Sequence, residues 1–263
     1  MTWEELQSAA KECDIALLPT GSCEQHGPMM PLGTDFYIAY EAAKRVAERT
    51  GTIVAPPLPV GMSGYHLGEP GTISVKPLIM IEYFADVLIS ISNSGFNKVI
   101  VLNGHAGQQW LLSQASLMAN AATGVFVAIA HWWELACEEV RRECGRIWHA
   151  DEAETSVALA LLPDGLVDMG KAGEEAFPEP TVQFCDYDLL PELKDKFLWS
   201  SILPAYPPEK DIRRTGMYGD VRKASREKGE RIVSAWIDNL VKFIEDLKRR
   251  YPVGVKVGQL GKR

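Results

Sequence analysis

Apolar and polar positions along this chain switch repeatedly between two spacings. Glu4 to Cys13 has the spacing of a short amphipathic helix, and Ile15-Ala16-Leu17-Leu18 is a continuous apolar run that predicts a buried strand. Phe36 to Thr50 sets Ile38, Ala42 and Val46 at helical intervals among good helix formers, and Gly51 stops the helix. Thr52-Ile53-Val54 predicts a second strand, after which Pro56-Pro57-Leu58-Pro59 cannot continue a helix. A loop punctuated by Gly61, Gly64, Gly68 and Gly71 then runs to Ser74. Leu78 to Ser94 reads as a helix, Lys98 to Leu102 as a strand and Gln108 to Ala122 as a helix. Val125 to Ala130 reads as another strand, with Trp132 and Trp133 at its end. Val221 to Arg250 predicts one long helix with Ile232, Ala235, Trp236, Leu240, Ile244 and Leu247 on one stripe. Strand and helix in this alternation predict a mostly parallel sheet covered on both faces. The expected fold is a single-domain, three-layer α/β/α architecture over residues 1–263.

Gly170 to Pro208 breaks the pattern. It lacks periodicity, is rich in Pro, Asp and Glu, and reads as a long excursion near a site or an oligomer contact.

Composition narrows the function classes. The net charge is −8, which argues against a nucleic-acid partner, since such partners ask for a basic stripe. No apolar run approaches the roughly 18 residues that span a membrane. The N-terminal Met1-Thr2-Trp3-Glu4-Glu5 has neither a basic nor an apolar leader region. The five cysteines, Cys13, Cys23, Cys137, Cys144 and Cys185, are odd in number and scattered, which fits reduced thiols. A cytoplasmic enzyme acting on a small molecule is the expectation.

Two groups of metal-ligand side chains follow strand-like runs. One is Glu24-Gln25-His26-Gly27 with Asp35 beyond it; the other is Asn103-Gly104-His105-Ala106-Gly107. Carboxylates with neutral imidazoles are the mixed donor set that Zn, Mn and Fe take. In an open α/β sheet, ligands bind outside the carboxyl ends of the strands, where both groups fall. Glu24 and His26 lie two apart, on one face of extended backbone. The plainer alternative is a polar loop in which Thr34-Asp35 caps the following helix.

The stretch Leu17-Leu18-Pro19-Thr20-Gly21-Ser22-Cys23-Glu24-Gln25-His26-Gly27-Pro28, continuing to Pro31-Leu32-Gly33-Thr34-Asp35, resembles the opening signature of the creatininase family of metal-dependent hydrolases. Pro70-Gly71-Thr72-Ile73-Ser74, Asn103-Gly104-His105, His149-Ala150-Asp151-Glu152-Ala153-Glu154-Thr155-Ser156 and Ala224-Ser225-Arg226-Glu227-Lys228-Gly229 agree in order. The resemblance implies two divalent ions per chain (Zn, Mn or Fe), held by Glu24, His26, Asp35 and His105, with Asp35 bridging. It also implies a homo-oligomer, a hexamer being favoured, and hydrolysis of a C–N bond in a small polar or cyclic amide. Relatives acting on a cyclic keto-sugar or a formylamino-pyrimidine are the enzymatic alternatives, and a non-catalytic metal-binding scaffold is the alternative of another class.

Further roles carry over from the same resemblance. His149 matches the family's catalytic histidine, and a near-neutral imidazole suits proton transfer. Trp133 falls where a family aromatic packs on substrate, and Tyr65 and His66 sit in the glycine-rich loop as candidate substrate contacts. Three positions depart from the pattern. Some members carry a ligating acid where this chain has Gly107, Met29 stands where a second histidine is found, and Glu69 stands where an aromatic is common. The missing carboxylate is expected from Glu152. Glu154 is the competing assignment, either as the ligand or as a catalytic residue orienting a ligand from behind.

Overall fold

The computed structural model describes residues 1–175 and 215–258. Its centre is one parallel sheet of β1 (Ile15–Thr20), β2 (Ile53–Val54), β3 (Lys98–Asn103) and β4 (Phe126–His131), in the order β2-β1-β3-β4. All six residues of β1 and of β3 are buried, which is why these strands read as unbroken apolar runs rather than as alternation.

The alternation is present, but both faces are covered. Ile15, Leu17, Ile100 and Leu102 point to one side, where they meet α2 (Thr34–Thr50), α7 (Glu152–Leu161) and α8 (Arg226–Arg250). Leu18, Val99 and Val101 point to the other, against α3 (Pro77–Asn93) and α4 (Gln109–Thr123). Trp236 on α8 is fully buried, as its place on the apolar stripe predicts. The short α1 (Trp3–Glu12) carries a capping box in which Thr2 and Glu5 bond reciprocally. Together these elements make the expected three layers.

Local chemistry explains the differences from the sequence reading. The long C-terminal helix starts at Arg226 rather than Val221, because the Ser225 side chain accepts from Lys228 N–H and caps it there. Val221–Lys223 is instead a short 3-10 turn. Asp151 caps α7, so that helix opens two residues before Glu154. Trp132 and Trp133 do not extend the strand; β4 ends at His131 and they begin a one-turn helix, α5 (Trp132–Leu135). The charged helix α6 (Cys137–Cys144) was not foreseen. Of the irregular stretch from Gly170, residues 170–175 are described; β5 (Glu174–Glu175) there pairs antiparallel with β6 (Gly219–Asp220). The remainder of that stretch lies outside the described residues. No described helix is long and apolar enough to cross a membrane.

At the amino edge of the sheet, Lys98 Nζ lies 2.7 and 2.8 Å from the two carboxylate oxygens of Asp14, and both residues are buried. Asp14 also accepts from Gly254 N–H at 2.9 Å, which ties the C-terminal segment to the start of β1. The carboxyl edge, opposite, is where the loops after all four strands converge.

Candidate metal centre

Each sheet strand delivers its part at its carboxyl end. The loop after β1 carries Glu24 and His26 and runs into α2, whose first turn holds Asp35. The loop after β3 carries His105. Asp35 can enter between them because Gly104 has no side chain: a Cβ there would stand 2.1 Å from the Asp35 carbonyl oxygen. The long loop after β2 brings His66, the segment before α7 brings His149, and the first turn of α7 brings Glu154. Ala150, between those two, adopts φ +47, and its N–H is held by Glu154 Oε2 at 2.6 Å.

The donor atoms form three overlapping groups. Glu24, Asp35 and His105 place ligand atoms within 4.8 Å of one another, and so do His26, His149 and Glu154, and Glu24, His66 and His149. Asp35 reaches the first two. Its Oδ1 lies 3.0 Å from His26 Nε2 and its Oδ2 lies 3.1 Å from His105 Nδ1. Ser22 Oγ donates to Oδ2 at 2.7 Å and fixes the carboxylate's rotation. Glu24 Oε2 is buried with no hydrogen-bond partner. A buried carboxylate oxygen left unpaired is costly, and a cation in the cluster satisfies it.

The imidazole tautomers follow from which neighbours can only accept. His105 Nε2 donates to the Met62 carbonyl at 2.9 Å, leaving the Nδ1 lone pair facing Glu24 and Asp35. His26 Nδ1 donates to the Glu24 carbonyl at 3.0 Å, leaving Nε2 facing Asp35 and, at 3.7 Å, Glu154. His149 Nε2 sits between the Gln25 carbonyl at 2.7 Å and Gln25 Nε2 at 2.9 Å, and its Nδ1 faces Glu24 Oε1 at 3.4 Å. One ring N–H on a backbone carbonyl with the other nitrogen turned inward is how proteins orient metal-ligating histidines. His66 differs. Gln25 Oε1 accepts from Gly27 N–H, so Gln25 Nε2 must donate, and it does so to His66 Nδ1 at 3.0 Å. In the neutral ring this puts the hydrogen on Nε2, which points at Glu24 Oε1 3.7 Å away. His66 therefore presents a donor to the pocket, while His26 and His105 turn inward the nitrogen that can bind a metal once its proton is lost.

Electrostatics gives the same picture. Burial pushes the Glu24 carboxyl up, but the imidazoles of His105, His66 and His149 outweigh it and hold Glu24 well below the usual carboxylate range. Asp35 is likewise raised by burial, but His26 and the hydrogen bonds from both imidazoles bring it down to about 2. Burial lowers His26 and His105, yet Asp35 with Glu154, and Glu24 with Asp35, hold them well above 6.5. In the metal-free chain, protonated imidazoles thus stand in for cations among three carboxylates. His149 is pushed down, first by burial and then by His66 and His26, and is neutral. The donor set and its charge balance fit divalent metal.

Not every expected site residue joins this cluster. Glu152, expected as the fifth ligand, turns away: its Oε1 pairs with Lys228 Nζ on α8. Starting α7 at Glu152 puts the two acids on different sides of its first turn, and the one that faces His26 is Glu154. An acid at position 107 has no room, since a Cβ on Gly107 would lie 2.5 Å from His105 Nε2. His66 stacks on His149 with ring centroids 4.3 Å apart, and Tyr65 meets His66 edge-on at 6.2 Å. Trp133 is half-buried at the end of β4 and stacks on His131 rather than on the cluster. Met29 is buried in the core. Gln25, Ser22, Asn103 and His131 were not foreseen. Gln25 and Ser22 lie inside the first motif, the only signal that could have drawn attention to them.

Comparison with known proteins agrees with the geometry. The sequence model of the creatininase family, described as creatinine amidohydrolase, matches residues 1–244. A 3-dehydro-scyllo-inosose hydrolase from Thermotoga maritima is 31% identical over 264 residues, covering 97% of this chain and 84% of the relative. A creatinine amidohydrolase from Pseudomonas putida is 27% identical, covering 94% of this chain and 95% of the relative. A solved mutant creatininase in a Zn-Zn form superimposes with a TM-score of 0.76 at 23% identity, over 96% of each chain, a likeness that shows the shared fold. With its motifs in order along one parallel sheet and their side chains gathered at its carboxyl edge, the chain belongs to the creatininase family of hydrolases.

Proposed function

We propose that this hydrolase holds two divalent ions per chain (Zn, Mn or Fe) and cleaves the C–N bond of a small polar or cyclic amide. The observation that carries this is Asp35, which offers one oxygen to each of two donor groups. Glu24, His105 and Asp35 would hold one ion; His26, Glu154 and Asp35 would hold the other. Glu154 replaces Glu152 in this assignment. When bound, such ions supply Lewis acidity toward a carbonyl and a water acidified to near neutrality.

The chain's own residues do the rest. Neutral His149 accepts a proton at Nδ1 and returns it to the departing nitrogen. Its Nε2, held against Gln25, keeps Nδ1 aimed inward. His66 offers Nε2–H to a substrate oxygen, and Tyr65 backs the His66 ring. Trp133 supplies an aromatic wall. A cyclic ketone is the second reading, favoured by the 31% identity to a relative named for hydrolysis of an inosose.

Assembly into a homo-oligomer, a hexamer in the fullest form, belongs to the same proposal. Helix α4 has no charged residue from Gln109 to Thr123, yet Trp110, Leu117 and Met118 are exposed on it. A surface helix without a charged face is normally covered, and an uncharged face is where chains of net charge −8 meet with least repulsion.

The test is a panel of creatinine and other cyclic amides, formamido-pyrimidines and keto-cyclitols, run with Zn or Mn and with chelator. Amide turnover abolished by chelator is expected. Turnover of the ketone alone would move the assignment to the second reading, and metal uptake with no turnover of any class would leave the scaffold reading standing.

A further inference from the structure

Thr20, Asn103 and His131 are the last residues of β1, β3 and β4, and they stand in register across the sheet. All three are buried, and their side chains form one hydrogen-bonded row along the carboxyl edge. Gln108 Nε2 donates to Thr20 Oγ1 at 3.0 Å and to Asn103 Oδ1 at 2.9 Å. Asn103 Oδ1 also accepts from His105 N–H at 3.1 Å. A backbone N–H can only donate, so the orientation of the Asn103 carboxamide is fixed. Its Nδ2 must then donate twice, to the His105 carbonyl at 2.8 Å and to His131 Nδ1 at 3.1 Å. Asn103 therefore grips both backbone groups of His105, and its last hydrogen goes to His131. His131 Nδ1 is an acceptor, and its ring hydrogen is on Nε2. On its other side the His131 ring stacks on Trp133, with centroids 4.9 Å apart and planes 23° apart.

We propose that His131 is a positioning residue with two separable tasks: its Nδ1 lone pair locks the Asn103 clamp on His105, and its ring sets the plane of Trp133. The functional meaning of the first task rests on His105 being a metal ligand, and that of the second on Trp133 facing substrate. Burial pushes His131 down to about 4, so the acceptor persists across the working pH range. Without it, one Asn103 N–H is buried unpaired, and the carboxamide is held only by its bonds to Gln108 and His105. Outer partners that orient a ligand in this way change metal affinity by about 10–100-fold when removed.

Two substitutions divide the tasks. His131→Asn places Oδ1 where Nδ1 stood and removes the ring; His131→Phe keeps the ring and removes the acceptor. Zinc affinity is measured for both, and the wild-type chain, by competition with a chromophoric chelator. His131→Phe, one step further from the ligand, is expected to weaken zinc by up to about 10-fold, and His131→Asn to stay near wild type. Trp133 emission, taken as the difference from Trp133→Phe in each background, is expected to shift with His131→Asn and hold with His131→Phe. Nitrogen-15 NMR of the histidine-labelled wild-type chain reads the tautomer directly and is expected to show Nε2–H. A protonated Nδ1, wild-type zinc affinity in His131→Phe, or equal loss in both variants would overturn the proposal. A wild-type chain that takes up no zinc would sink the metal reading alone. The tautomer, and a displaced Asn103 side-chain amide resonance in His131→Phe but not in His131→Asn, would still decide this one.

Discussion

Exchanging Glu154 for Gln separates the ligand assignment from the fold. The amide oxygen of Gln can still accept the Ala150 N–H that Glu154 Oε2 holds at 2.6 Å, so the loop around His149 has no reason to open. What disappears is one negative charge, 3.7 Å from His26 Nε2. Against a unit positive charge at that distance, an effective dielectric of about 20 gives roughly 4.5 kcal/mol of attraction. Glu154 is buried, and burial pushes its carboxyl up. Part of the lost attraction is therefore returned as relief of desolvation, leaving about 2–3 kcal/mol, or roughly 30–150-fold in the affinity of one of the two proposed ions. Glu152→Gln removes only a partly exposed pair with Lys228. That is worth about 0.5–1 kcal/mol, or roughly 1–4 °C in Tm, with metal content unchanged. Zinc titration against a competing chelator, with thermal melts of the same samples, measures both. Loss of an ion from Glu152→Gln with two tight ions kept by Glu154→Gln would refute the assignment. Gly107→Glu should not rescue Glu154→Gln, because its Cβ would collide with His105.

Three further outcomes are expected. Lys98→Met leaves the Asp14 carboxylate buried without its cation and should cost about 3–5 kcal/mol in urea unfolding, while Asp14→Leu/Lys98→Met should recover part of it; equal stability of single variant and wild type would refute the buried pair's role. In the metal-free chain, the raised His26 and His105 contribute stability that is full below about pH 6.5 and is lost as pH rises through their folded values, so Tm should fall on the alkaline side. Zinc uptake at pH 7 should release protons in calorimetry across buffers of different ionisation enthalpy, and uptake without release would contradict the protonated imidazoles. Trp110→Glu with Leu117→Lys should reduce the mass seen by light scattering at micromolar concentration without altering far-UV circular dichroism; an assembly that survives both would exclude the α4 face.

The strands were legible because their burial on both faces leaves runs such as Val99-Ile100-Val101-Leu102 with no polar interruption. Glu24, His26, Asp35 and His105 were legible because motif and topology agree: each follows, or lies one loop beyond, the carboxyl end of a strand. The choice between Glu152 and Glu154 was not. Both acids lie in the first turn of the same helix, and which one faces inward depends on where the helix starts. Asp151 decides that by accepting from Glu154 N–H at 3.0 Å and Trp148 N–H at 2.6 Å. Asp is a favoured cap and Glu is not, so Asp151 with Glu154 three residues on was the local signal, and the structure shows it in use. His131 was hidden for a different reason. A single histidine at the end of an apolar strand carries no pattern, and its meaning appears only once β3 and β4 are in register and Asn103 stands beside it.

The absent side chain at Gly107 and the inward turn of Glu154 have one steric origin. His105 reaches the carboxylates through Nδ1 only because Nε2 is drawn back to the Met62 carbonyl, and that places the ring edge against the backbone at 107. With the ring in that pose, no Cβ fits there, so a carboxylate for His26's side of the cluster has to come from another element. One comes from the helix that follows the turn at Ala150. Its positive φ folds the chain so that Glu154 returns to bond Ala150 N–H while reaching His26. The pose of one imidazole thus leaves no space for a side chain in one motif, and the inward carboxylate stands in the next, two positions that look unrelated along the chain.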